Sequence, residues 1–427
     1  MRIKVSVRRN LFYYKFLERS HIIFFQKNYI STGNKKIFFI KRRKTMKVKI
    51  EKKKLIKVAK MAAEALPSEK TNLQITKCFV IKAEGQFLFI RSMSMEEGIG
   101  IQTGITCSKV EEPGEICVDG SMFLNLISKA PEGELNIQTN KGKLLVKQQK
   151  SKMQLAYQDT DQFPDDMTRP DDTVISIDRK KLYAGIEAVL FAVADDATQK
   201  KELGALHINL SNGVLRLEGL DGFRVASSSF AIPEANDITL DTLIPKNTAK
   251  KLMRLLSEKN SDKESDACKI YCNNNVMAVS TGYSLLTARL LEGSYFDVAK
   301  LTPQEYKTML TVNKTELLDS LNRSLLYCLT GGDRDKPISF SVKEGNLTVA
   351  ANSAIGEMKD ELMAKTDGED VVLHYNPRYM METLKAIMDE DVTFYFNGNK
   401  TPCVIKGEDY EYMVLGVTVA AESEKVA

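Results

Sequence analysis

Apolar residues recur at helical spacing through Leu55, Ala59, Ala62 and Leu66, while Lys53, Lys57 and Lys60 gather on the opposite face at about 100° per residue. A second stretch repeats the design: Leu252, Leu255 and Leu256 take one face, and Lys246, Lys250 and Arg254 the other. A third stripe, Leu182, Ile186, Val189 and Val193, has Glu187 and Phe191 on its outer side. Between these helical patterns the chain alternates as half-buried strands do. Examples are Cys78–Ala83, His207–Leu210, Val214–Glu218, Leu347–Ala350 and Val392–Phe396. Turn signals separate them at Ala83-Glu84-Gly85, Ser211-Asn212-Gly213 and Lys343-Glu344-Gly345-Asn346.

Laid end to end, the pattern repeats three times. One helix-opening segment occurs at Lys52-Lys53-Lys54-Leu55-Ile56, Asp178-Arg179-Lys180-Lys181-Leu182 and Asn313-Lys314-Thr315-Glu316-Leu317-Leu318. A second opens at Asp119-Gly120-Ser121-Met122, Pro245-Lys246-Asn247-Thr248 and Asn376-Pro377-Arg378-Tyr379. Both sets step by roughly 130 residues, too long for a solenoid unit and right for a whole domain. The expected fold class is α+β: three similar modules, each two helices packed on antiparallel sheet. The expected bounds are 46–170, 171–305 and 306–419, with a basic extension over 1–45 and a tail over 420–427. Outer cations are fewer on the last helix, with Arg378 and Lys385. The dense charged stretch from Ser257 to Asp266 reads as a surface loop.

Charge changes this picture in one respect. The chain carries +5 overall, but residues 1–45 hold thirteen Lys or Arg against one acid, Glu18. The remainder therefore has 48 basic and 55 acidic residues, or −7. An acidic body can still attract a polyanion where its cations are gathered on one surface. The extension shows neither caps nor a sustained period. The favoured expectation is a start assigned too far upstream, since Met46-Lys47-Val48-Lys49-Ile50 opens a clean strand; an Arg-rich targeting segment and a nucleic-acid-binding arm are the alternatives.

Motifs for catalysis are missing. No G-x-x-x-x-G-K-[ST], G-x-G-x-x-G after a strand, G-x-S-x-G or H-E-x-x-H occurs. Thr330-Gly331-Gly332-Asp333 is loop-like but opens no helix. Seven scattered cysteines and three histidines give no zinc spacing or disulfide framework, so reduced thiols in a cytosol are expected. The acidic pairs Asp165-Asp166, Asp171-Asp172 and Asp195-Asp196 could hold a metal for phosphoryl transfer, but adjacent loop residues diverge. No metal, cofactor or catalytic residue is expected.

The segment Leu203–Ile208 through Leu215-Arg216-Leu217-Glu218-Gly219-Leu220-Asp221-Gly222-Phe223-Arg224-Val225-Ala226 resembles the bacterial DNA polymerase III beta subunit family, the sliding clamps, whose strand-turn element reads like T-D-G-H-R-L-A. Asp221, Gly222, Arg224 and Ala226 match, and Leu220 and Phe223 replace Thr and His. Phe163-Pro164, Gly293-x-Tyr295-x-Asp297 with Pro303, and Asn376-Pro377-x-Tyr379 add support across Met46 to about Val419.

The resemblance implies a head-to-tail homodimer whose six modules close a ring around duplex DNA, with helices lining the hole. It implies a cytoplasmic, nucleoid-associated, non-catalytic subunit of the polymerase holoenzyme, with no membrane partner. The implied DNA-facing residues are Lys53, Lys57, Lys60, Lys70, Lys200, Lys201, Lys246, Lys250 and Arg254. The implied second site is an apolar pocket for a short peptide carried by the polymerase alpha subunit, the clamp loader and other partners. Its wall would be Leu203, Leu220, Gly222, Phe223, Arg224, Val225, Phe296, Lys300, Leu301, Asn376, Tyr379, Thr401, Pro402, Met413, Leu415 and Val417. The bland alternative makes these ordinary core residues of two sheets. The family usually closes with M-P-M-R-L, whereas this chain reads Leu415-Gly416-Val417-Thr418-Val419 and continues to Ala427, and Phe296 stands where Pro is usual. That leaves open an altered peptide preference and an accessory rather than a main clamp. Two other functions are weighed beside this one: a peptide-binding scaffold that never encircles DNA, and a metal-dependent nucleic-acid enzyme using the Asp pairs.

Overall fold

A computed structural model describes residues 45–419, apart from 69, 165–168, 171–172, 196–199, 258–265, 304, 330–335, 354–355 and 399–400. Most of the basic extension, the tail, the core of the 257–266 loop, Thr330–Asp333 and the acidic pairs other than Asp195 lie outside the described residues.

Helices form at all six predicted openings: α1 (Lys52–Ala63), α2 (Gly120–Lys129), α3 (Arg179–Leu190), α4 (Lys246–Ser257), α5 (Lys314–Leu329) and α6 (Pro377–Lys385). Local chemistry sets several starts. Asp119 accepts from the Met122 N–H at 2.7 Å. Asn376 accepts from the Arg378 and Tyr379 N–H groups, with Pro377 at the first helical position. Three times the chain runs strand, helix, a run of strands, helix, three strands. The internal repeat is thus a repeat of topology.

The chain packs as two compact units. Among the described residues, the first holds those up to Arg179 together with those from Arg254 to Arg289; the second holds those from Lys180 to Met253 and those from Leu290 on. Each contains one antiparallel sheet, of 13 and 12 strands respectively. In the first unit the strand Ser284–Arg289 pairs with Ile99–Thr106, from Leu285 opposite Gln102 to Ala288 opposite Ile99. In the second, Tyr410–Val414 pairs with Arg224–Ala231, from Val414 opposite Arg224 to Tyr410 opposite Ser228. Both seams follow one rule: the last strand of one repeat pairs with the third strand after the first helix of the preceding repeat. Edge pairing satisfies backbone groups that a module alone would leave open.

The core of the first unit confirms the helical stripe. Leu55, Val58, Ala59 and Ala62 of α1 and Phe123 and Ile127 of α2 are buried against Val48, Ile50, Phe79, Ile81 and Leu88. Phe79 and Phe123 meet edge to face at 6.3 Å. Each such side chain contributes about 1.5–3 kcal/mol through burial. Two stripes outrun their helices. Leu66 lies past the end of α1 yet still packs on the core, and Val193 is buried beyond the end of α3.

The alternation expected of Cys78–Ala83 is not what folding produces, because Cys78, Phe79, Val80 and Ile81 are all buried. Phe79 and Ile81 face the helical core, while Cys78 and Val80 join Met93, Cys117 and Phe163 in a second cluster on the other side. Arg91 helps seat that cover, its guanidinium 5.1 Å from the Phe163 ring and donating to the Pro164 carbonyl at 3.0 Å. All seven cysteines are buried free thiols.

Candidate nucleic-acid and peptide interfaces

The cations named from the sequence divide between the two units. In the first, Lys53 and Lys60 are exposed on α1 and Lys57 is half-buried. Lys70 is exposed beyond that helix. Lys52, next to them in sequence, turns inward and donates to the Ala130 carbonyl at 2.7 Å and to Glu132 at 2.8 Å. Arg254 forms an ion pair with Glu64 at 2.5 Å.

In the second unit, Lys246 differs from a free surface cation. Its ammonium donates to the Val193 carbonyl and pairs with Asp195 at 2.8 Å, with only 13% of the side chain exposed. Lys250 lies 3.7 Å from the same carboxylate. These lysines, the Lys246 hydrogen bond foremost, hold the Asp195 carboxyl below its ordinary range. Asp195 is thereby a tether for α4. No group of His, Cys, Asp or Glu among the described residues could hold a metal ion. Lys200 and Lys201 are exposed, and the Lys200 ammonium lies 5.4 Å from the Phe296 ring centre.

That ring belongs to the second site. Leu220, Val225, Val298, Val404 and Met413 form a buried cluster in the second unit, with Leu203, Tyr295, Phe296, Tyr306 and Tyr395 packed around it. Val404 comes from the strand Cys403–Lys406 and Met413 from Tyr410–Val414, so the cluster sits at the seam between the second and third repeats. Several large apolar side chains nearby stay in solvent: Phe223 is 55% exposed, Leu301 46% and Leu415 45%. Phe223 stacks on Tyr379 with centroids 5.5 Å apart. Its carbonyl accepts from the Leu415 N–H at 2.9 Å, and the Val417 N–H donates to the His374 carbonyl at 2.7 Å. The closing segment is thereby laid against both walls.

The turn carrying Phe223 is set by its own residues. Asp221 accepts from the Phe223 and Arg224 N–H groups at 2.8 and 2.7 Å. Gly222 takes φ +90°, a region that side chains rarely adopt. Arg224 is buried between the Phe191 and Tyr379 rings, 5.4 and 4.4 Å from their centroids. Phe191 therefore turns toward this site and the Tyr412 ring, not to the outer face expected of it.

Other named residues make contacts within the protein. The Asn376 side chain is used in capping α6, and Thr401 bonds the Asn397 carbonyl at 2.8 Å within its own turn. Pro402 is half-buried beside it. Lys300 is exposed and paired with Asp297 at 2.8 Å. Tyr295, Val298, Val404, Tyr306, Tyr395, Phe191 and Glu382 pack in or beside this cluster without having been named for it from the sequence. Tyr295 had a signal in the Gly293-x-Tyr295-x-Asp297 run, Tyr395 in the alternating strand Val392–Phe396, and Phe191 beside the third helical stripe.

Comparison with known proteins gives a consistent assignment. Residues 46–168, 176–297 and 299–417 match the N-terminal, central and C-terminal domains of the DNA polymerase III beta subunit. The beta sliding clamp of Staphylococcus epidermidis is 26% identical over 354 residues, covering 80% of this chain and 90% of that protein. That of Bacillus subtilis is 24% identical over 377 residues, covering 86% and 98%. The crystal structure of a putative DNA polymerase III beta subunit from Eubacterium rectale superposes with a TM-score of 0.79 at 26% identity, covering 88% of this chain and all of that one. The Bacillus subtilis sliding clamp structure gives 0.80 at 22% identity, with the same coverage.

Proposed function

Because this chain belongs to the DNA polymerase III beta subunit family, we propose that it works as a DNA sliding clamp, a non-catalytic processivity factor that encircles duplex DNA and tethers the replicative polymerase. The observation that carries this reading is the repeated seam, in which one strand rule joins the first repeat to the second and the second to the third. Applied once more, the rule leaves two strands without a seam partner: the last strand of the first repeat, Ser151–Gln158, and the third strand after the first helix of the third repeat, Gly356–Gly368. A second copy supplies the complement of each. Head-to-tail pairing then closes two chains into a ring of six modules, bounded as 46–170, 171–305 and 306–419.

A ring holds DNA topologically, so its contacts to phosphate can stay weak and independent of sequence. Exposed Lys53 and Lys60 suit such contacts, and Lys57, Lys70, Lys200, Lys201, Lys250 and Arg254 extend the set. Lys246 serves first as the tether of α4. The apolar cluster under Phe223 and Tyr379 receives the partner peptide of polymerase, clamp loader and other clamp-binding proteins. Action is cytoplasmic, on the nucleoid.

Retention on DNA tests the proposal. Loaded onto a nicked circle by a clamp loader, the protein should stay bound through gel filtration and run off once the circle is cut. Equal loss from circle and linear product would reject encirclement and favour a scaffold acting through the pocket alone.

A further inference from the structure

We propose that Glu382 is a positioning residue of the peptide pocket, acting through Arg224 to fix Tyr379 and the Phe223 turn; this rests on reading the apolar cluster as a peptide site. Nearly every donor of the Arg224 guanidinium is already used inside the protein. Its Nε and Nη2 donate to Asp221 Oδ2 at 3.0 and 2.8 Å, and Nη2 also donates to the Phe191 carbonyl at 3.2 Å. Its Nη1 donates to Glu382 Oε2 at 2.5 Å. With its side chain 6% exposed and flanked by two rings, Arg224 is a strut and not a cation offered to a ligand.

The source of each partner shows what the strut joins. Asp221 belongs to the same turn as Arg224, and Phe191 to the end of α3, so these contacts lie within the second repeat. Glu382 alone of the carboxylates comes from the third repeat, one turn after Tyr379 on α6. Its bond therefore fixes the helix face that presents Tyr379 to the turn that presents Phe223. Take that carboxylate away and Nη1 is left buried without its partner, while α6 loses its charged link to the turn. Tyr379 and Phe223 then no longer share one fixed spacing. Glu382 itself is 51% exposed on its side chain and stands outside the apolar cluster, so it acts through Arg224.

The chain has no tryptophan, so Phe223→Trp supplies a single fluorescent reporter in the wall itself. In that background Glu382→Ala should shift the emission maximum and lower the steady-state anisotropy, with the dimer mass unchanged by light scattering. Glu382→Asp should recover part of both signals. A fluorescein-labelled pentapeptide of apolar residues, chosen to match the apolar cluster, then reads the pocket. Glu382→Ala should weaken its binding about tenfold, the scale of one charged hydrogen bond. The same change made in Tyr379→Ala protein should add little, because the ring it positions is gone. Unchanged reporter fluorescence, or a full tenfold additive loss in the Tyr379→Ala background, overturns the proposal. If the parent protein binds no peptide while the reporter still responds to Glu382→Ala, the pocket reading fails and the coupling stands.

Discussion

His207 and Glu218 stand directly opposite each other on paired strands, with His207 Nδ1 2.8 Å from Glu218 Oε2. The other ring nitrogen lies 2.9 Å from Asp241 Oδ1, and the Tyr295 ring stacks on the imidazole at 4.4 Å. The His207 ring thus ties its own strand to both of its neighbours and supports the loop that carries Phe296.

That arrangement makes a pH prediction. Burial by itself would lower the His207 pKa, but the bonds to Glu218 and Asp241 together outweigh it and raise it above 6.5. A raised folded-state value means that the stabilisation is complete below the unfolded pKa of about 6.5 and is lost as pH climbs through the folded value. The melting temperature of the parent should therefore exceed that of His207→Gln most at pH 6, with the gap narrowing by pH 9. A gap that stays constant over that range would remove the imidazolium from the account.

The core of the first unit should respond to truncation. Phe123 is fully buried against Phe79, so Phe123→Ala should cost about 3–5 kcal/mol. Urea denaturation followed by circular dichroism should show an early transition for that unit.

Two classes of lysine should separate. Lys246→Ala removes a buried tie to the Val193 carbonyl and Asp195, and should cost about 1–3 kcal/mol of stability. Lys53→Ala with Lys60→Ala should leave the melting point within about 0.5 kcal/mol of parent, since both are exposed. The latter pair should instead flatten the salt dependence of binding to DNA by about 0.9 log units per lost phosphate contact.

The proposed seam between two copies predicts a dimer that a charge placed beside it should split. Helix α5 packs on the strand Gly356–Gly368, and Arg323 pairs with Asp360 at 2.5 Å. Leu326, one turn further along, is 67% exposed. Leu326→Arg should place a charge beside the joining edge and halve the mass seen by light scattering. A dimer mass retained in that variant would move the seam elsewhere.

In the proposed peptide pocket, Phe223→Ala removes the stack on Tyr379 and an exposed apolar side chain. A loss of about 1–2 kcal/mol in pentapeptide affinity is expected, measured by anisotropy, with no change in dimer mass.

How far the sequence reached can be judged residue by residue. Helical stripes such as Leu55, Ala59 and Ala62 were legible because a helix repeats every 3.6 residues whatever it packs against. Caps and turns were legible for the same local reason: Asp119, Asn376-Pro377 and Asn212-Gly213 act on their own backbone. The threefold repeat followed from these, and with it the α+β class.

Tertiary structure alone decided what each polar group does. Lys246 and Lys53 look alike as exposed-face lysines, yet one meets Val193 and Asp195 from another element and the other meets solvent. Cys78 and Val80 read as the outward half of an alternating strand until the segment holding Phe163 covers them. Arg224 matched a motif, but its partners Phe191 and Glu382 lie 33 and 158 residues away. Periodicity reports only on neighbours along the chain. Burial, pairing and charge compensation depend on groups that chain folding brings together from far apart, and so they appear only once the strands and helices are in register.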